Sequence, residues 1–186
     1  MRSTRPYLNG LLMALLTAGG LMSATASAIT LNFSATLFNG TCSLNLDKST
    51  LPLGNVSLSE LRPAQLFIAQ PFTLTVSDCT GTEGDSLTPV VAISGPGVSQ
   101  DNRWLFRHAG SADGAGIMVI KSDSLPAHSQ PEIKGGTALP LASVGKLPVA
   151  QSHTFYAGVS CMSTTRCTDV GTGAITASLM FIFAYQ

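Results

Sequence analysis

Charge is what this chain has least of. Asp, Glu, Lys and Arg make up 11% of its 186 residues, and the ten basic and ten acidic groups cancel. With no basic surplus there is no electrostatic footprint for nucleic acid or anionic lipid. Aromatics are scarcer still, at 6%, with one tryptophan, Trp104. The signatures of common enzymes are missing: no Gly-x-Ser-x-Gly elbow, no His-Glu-x-x-His pair, no phosphate-binding glycine loop. The glycine-rich stretch from Gly110 to Gly116 lacks a strand-to-helix setting and reads as a loop. Acidic residues are scattered, without a close pair suited to glycoside hydrolysis. His108, His128 and His153 lack ligand spacing to one another or to the cysteines, so a zinc site of four N/S ligands is not indicated. These absences argue against an enzyme, a metal, a cofactor and a nucleic-acid partner.

Long apolar runs are missing too, with one exception. Gly10 to Met22 is apolar and uncharged, but its 13 residues fall short of the roughly 20 that cross a bilayer. Arg2 and Arg5 precede it, and Ala26-Ser27-Ala28 follows as a small-x-small cleavage site. This is the layout of a secretory signal peptide over residues 1–28. Its removal takes both arginines and leaves a slight acidic excess. Export to an oxidising compartment makes disulfides the default for Cys42, Cys79, Cys161 and Cys167. Four cysteines allow three pairings; their spacing suggests one long loop and one short one.

What is present in quantity is two-residue alternation. Ile29, Leu31, Phe33, Ala35 and Leu37 alternate with Thr30, Asn32, Ser34 and Thr36, and Asn39-Gly40 reads as the turn that ends the strand. Leu51, Leu53 and Val56 form a short apolar stretch. Phe72, Leu74 and Val76 alternate with polar residues, leading into Cys79. Pro89 to Ile93, Ile117 to Ile120 and Thr154 to Val159 are further strands, and Ser122 to Leu139 is loop with at most one short strand. Ala174 to Gln186 is the longest strand signal. Ala177, Leu179, Phe181, Phe183 and Tyr185 face one side, and the opposite side is mostly apolar as well. A strand apolar on both faces is central or covered by a partner, and left exposed it is an aggregation hazard. Many short strands with turn signals between them indicate an all-β sandwich or barrel. Trp104 reads as a core or loop-packing residue rather than a sugar-stacking platform.

The signal peptide, the alternating segment ending Asn39-Gly40-Thr41-Cys42, the segment Phe72-x-Leu74-x-Val76-x-x-Cys79, and Gly173 followed by an alternating strand ending Tyr185-Gln186 occur in that order. Together they resemble the fimbrial (pilin) subunits of the chaperone–usher pathway over essentially the whole exported chain. The resemblance implies an incomplete immunoglobulin-like β-sandwich that lacks its last strand and is completed by donor-strand complementation. It implies a donor strand over residues 29–38, with Ile29, Leu31, Phe33, Ala35 and Leu37 as its inserted face, and a pilin domain over 39–186. Gly173, Leu179, Phe181, Phe183, Tyr185 and Gln186 would form the acceptor groove and chaperone contact. The implied partners are a periplasmic pilus chaperone, an outer-membrane usher and neighbouring fimbrial subunits. The implied location is a fimbrium on the bacterial cell surface.

Two features depart from the family pattern. Ala35 stands where donor strands of the family usually carry Gly, and only 13 residues separate the cleavage site from Cys42. The resemblance also implies a Cys42–Cys79 bond, closing a 37-residue loop worth roughly 4 kcal/mol in the chain-entropy account. Cys161 and Cys167, less usual for the family, would form a local staple. The short arm and extra cysteine pair lean towards a minor or adaptor subunit contributing to adhesion. The competing reading is a self-contained secreted carbohydrate-binding β-sandwich.

Overall fold

The computed structural model describes residues 40–84, 86–161 and 166–186. The expected signal peptide over residues 1–28 and the expected donor face Ile29, Leu31, Phe33, Ala35 and Leu37 lie outside the described residues. Alternation does build strands, nine of them among the described residues: β1 Gly40–Leu46, β2 Phe67–Gly81, β3 Pro89–Ser94, β4 Gly97–Gln100, β5 Arg103–Phe106, β6 Ala115–Lys121, β7 Thr137–Pro140, β8 Gln151–Cys161 and β9 Met180–Tyr185. They form a six-stranded sheet, in the order β1-β2-β8-β6-β5-β4, and a three-stranded sheet, in the order β7-β3-β9. Every ladder is antiparallel.

The register decides which side chains meet. Phe72 lies opposite Phe155 and Leu74 opposite His153 across β2 and β8, so all four share the inner face. Phe72 and Phe155 stack with centroids 5.3 Å apart. Val91 and Ile93 of β3 close the core from the other sheet, beside Val76, Phe106, Ile117 and Val119. The uniformly apolar Ile117 to Ile120 is explained by its place inside the six-stranded sheet. Ile117 and Val119 enter the main core, while Met118 and Ile120 pack with Leu105 in a second cluster flanked by Leu66 and Val98. The segment between β6 and β7 is clamped to β5. Arg103 pairs with Glu132 at 2.7 Å, and the Trp104 N–H donates to the same carboxylate at 3.1 Å. Burial pushes the Glu132 carboxyl up, but Arg103 and the backbone N–H groups outweigh it and hold it below the ordinary range.

Both disulfides form: Cys42–Cys79 ties β1 to β2, and Cys161–Cys167 closes the short loop after β8.

Several expectations are corrected. Gly40 is not in a turn; it opens β1, opposite Gly81. Ala115 and Gly116, read as the end of a glycine-rich loop, begin β6. The longest strand is the 15-residue β2, and of Ala174 to Gln186 only Met180–Tyr185 is strand. The β4–β5 hairpin was not anticipated. Its Asp101 and Asn102 both have positive φ, 49° and 62°, as a two-residue type I′ turn demands.

Candidate interface: the groove beside the last strand

The two sheets end side by side. β1 is one edge of the six-stranded sheet, β9 is one edge of the three-stranded sheet, and the two edges are in contact. Neither outer edge pairs with a further strand among the described residues. Beside them opens a groove of about 850 Å³ that reaches Leu46 of β1 and Phe181 of β9. Its floor is the core itself: Phe72, Ile117, Val119, Ala157 and Val159 reach into it. One wall is the strandless segment carrying Leu51, Leu53 and Val56, and the other is Val170 to Phe181. A second recess of about 400 Å³ continues between Leu44, Leu46 and Leu74 on one side and Leu179 to Phe181 on the other.

Among the described residues Lys48 is the one charged residue in this lining. It is held at the rim by Asp47 at 2.9 Å and by the Pro71 carbonyl at 2.9 Å. The Thr73 N–H and then Lys48 hold the Asp47 carboxyl below its ordinary value. An elongated, charge-poor slot with sheet edges along it suits an extended apolar peptide, whose backbone can pair with an edge while alternate side chains fill the floor.

The C-terminal wall is fixed from behind. The His108 N–H donates to the Thr176 carbonyl at 2.8 Å, Ala112 to Ala174 at 2.9 Å, and Gly171 to Asp113 at 3.1 Å. The His108 ring bonds the Ser178 hydroxyl at 2.8 Å. Gly173 has φ of +145°, a conformation L side chains rarely adopt, and it bends the wall past Ala112.

The C-terminal residues singled out from the sequence divide in two. Gly173, Leu179 and Phe181 line the groove. Phe183, Tyr185 and Gln186 lie beyond it. Phe183 packs on the core and meets Tyr185 edge to face at 5.2 Å. The Tyr185 hydroxyl sits over Gly40, where an added Cβ would overlap it. Gln186 exchanges two backbone hydrogen bonds with Thr88, at 2.6 and 3.0 Å. The wall formed by Leu51, Leu53 and Val56 was not foreseen as part of a site, because nothing local in the sequence says that a strandless apolar stretch flanks a sheet edge.

Trp104 presents no open platform. Its ring packs against the core and meets Phe106 edge to face at 5.9 Å, and its indole nitrogen is buried without a hydrogen-bond partner among the described residues.

The two antiparallel sheets have the immunoglobulin-like sandwich fold that pilus subunits share. No protein-family model and no curated protein matches the sequence. Among solved structures, the P pilus rod subunit PapA is similar, with a TM-score of 0.50 at 21% identity over 78% of this chain and 99% of that one. A subunit from a chaperone–usher pilus structure aligns with a TM-score of 0.46 at 21% identity, over 87% of this chain and 100% of that one. The Burkholderia pseudomallei antigen and type I fimbria protein BPSL1626 aligns with a TM-score of 0.43 at 16% identity, over 78% and 99%. The likeness to PapA establishes the fold.

Proposed function

We propose that this chain is a structural subunit of a bacterial surface fimbria, joined to its neighbours by donor-strand exchange. The observation that carries the reading is the groove: a slot with an apolar floor open to the core, walled by two strandless segments and reaching the edge strands β1 and β9, which no further described strand caps. An all-β domain with a core left open along one side gains stability from any strand that fills it. The segment with the matching pattern is the chain's own Ile29 to Leu37, with apolar residues at 29, 31, 33, 35 and 37. Nine extended residues span about 30 Å at ~3.3 Å each, and the twelve residues of the Val170 to Phe181 wall offer a comparable length.

On this reading the protein passes through the periplasm with a chaperone in the groove, is handed on by an outer-membrane usher, and receives the arm of the next subunit. Residues 1–28 are the export signal, 29–38 the donor strand and 39–186 the acceptor domain. The compact domain, the extra Cys161–Cys167 staple and the short arm fit a minor or adaptor subunit.

The test is a synthetic peptide of Ile29 to Leu37 added to the chain beginning at Gly40. Four large apolar side chains, at up to ~1.5–3 kcal/mol each before ordering costs, with the smaller Ala35, are expected to raise its melting temperature by several degrees. A peptide with Leu31 and Phe33 replaced by Asp is expected to do nothing. Equal melting curves with and without the native peptide would remove the basis for strand exchange.

A further inference from the structure

We propose that the end of the sandwich carrying Gly40 is itself an apolar contact surface, covered by the second copy of this chain whose groove holds Ile29 to Leu37. The inference rests on the strand-exchange reading. It starts from side chains that this reading leaves unused.

A chain of contacts defines that end. Gly40 begins β1, with the Tyr185 hydroxyl over it. The next residue, Gln186, is paired to Thr88. The Gly145 N–H donates to the neighbouring Leu87 carbonyl, and the Gly145 carbonyl accepts from the Gly84 N–H, both at 2.9 Å. The connection from β7 to β8 therefore stands beside the start of β1. It is a closed loop, because the Gln151 side-chain amide donates to the Leu141 and Val149 carbonyls at 2.8 and 3.2 Å.

On this braced loop Val144 and Val149 are 60% and 74% exposed. The domain's own core gives no reason for valine at either place. The nearby charge is neutralised, since Lys146 pairs with Glu83 at 3.0 Å. Of the six exposed large apolar side chains among the described residues, Val144 and Val149 share one braced loop, and exposed apolar side chains grouped in this way mark a contact surface.

The length of chain before Gly40 identifies what covers it. Only Phe38 and Asn39 separate Leu37 from Gly40. Three Cα steps reach at most about 11 Å. A copy that has taken Leu37 into its groove must therefore lie against the end that carries Gly40, and the Val144 and Val149 loop is part of that end. Contact there desolvates both valines and adds to the association energy of the inserted strand.

The experiment uses the whole exported chain from Ile29, refolded at high concentration, as wild type and as the double variant Val144→Asp/Val149→Asp. Both positions are exposed, so the variant folds, and the Ile29 to Leu37 peptide reports on its groove. The expected result is an unchanged melting-temperature rise with the peptide, together with self-association weakened by about tenfold or more in sedimentation. Self-association equal to wild type overturns the proposal. So does a wild-type chain that responds to the peptide yet stays monomeric, because a second copy is then not the occupant. A peptide that stabilises neither protein removes the strand-exchange reading, and this surface with it.

Discussion

His153 is a polar residue in an apolar place. The register sets it opposite the fully buried Leu74, on the inner face, and its Nε2 is buried with no hydrogen-bond partner among the described residues. Burial first, and Lys121 second, push its proton affinity below the ordinary value of 6.5, with Asp123 opposing. His128, which bonds the Ser160 hydroxyl at 3.2 Å, is lowered by burial and by Arg103, with Glu132 opposing. The sign of the consequence is fixed. As pH falls through 6.5, the unfolded chain takes up protons that the folded chain still refuses, so stability is full above that pH and declines towards the lowered folded-state values. Replacing His153 by Leu is expected to reduce the slope of unfolding free energy against pH in that window, without loss of stability at pH 7.5. Urea titrations between pH 7.5 and 5 measure it, and an unchanged slope would mean that His153 is not a buried, neutral residue. Gly40 is another residue whose identity is dictated by contact: its missing side chain makes room for the Tyr185 hydroxyl.

At the scale of elements, β9 carries two roles on two faces. Phe181 meets Phe72 at 6.2 Å and Phe155 at 6.0 Å and lines both recesses. Its neighbour Ile182 points away and is 48% exposed. Phe181→Ala is therefore expected to cost about 2 kcal/mol, below the ~3–5 typical of fully buried Phe, and to weaken peptide binding in the groove. Ile182→Ala should change stability by less than about 0.5 kcal/mol. Equal effects of the two, by urea denaturation, would contradict this assignment of faces.

The same strand shows what sequence periodicity reports and what it misses. Alternate exposure runs on from Ile175 to Phe183, well beyond the N-terminal end of β9, and the sequence displays it plainly. Whether such a segment is a strand depends on its partner. Residues 171–178 bond to the irregular 107–113 segment, so no regular ladder forms there. The outward Met180 and Ile182 are apolar, which reads as burial on both faces, yet they are exposed. β4 and β5 escaped notice because four residues each are too few to show a period, and their turn is an Asp-Asn pair rather than Asn-Gly. The groove was legible only along its C-terminal wall. Its floor comes from β2, β6 and β8 and its other wall from a strandless stretch, and only the tertiary fold brings these together.

At the scale of the molecule, the position of the C-terminus offers a direct way to close the sandwich. Gln186 is anchored to Thr88 at the end of β9, so a chain continuing from it must either leave the domain or turn back. Turning back, it runs antiparallel along the free edge of β9, over Phe181 and Leu179 and into the groove. Appending the Ile29 to Leu37 sequence after Gln186, through a flexible linker of about six residues, allows that return. Inserted within the same molecule, the strand avoids the translational cost of binding, because the linker supplies a local concentration in the millimolar range. The fused domain is expected to melt about 10 °C higher or more, since 1 kcal/mol corresponds to roughly 2–4 °C in a domain of this size. Its melting temperature should not depend on protein concentration, unlike that of a chain stabilised by a second molecule. Its urea m-value should rise as well, because a closed sandwich exposes more surface on unfolding. A fusion that melts like the parent would mean that the groove is not short of a strand, and a shift that grows with concentration would mean that the donor is being exchanged between molecules rather than returned.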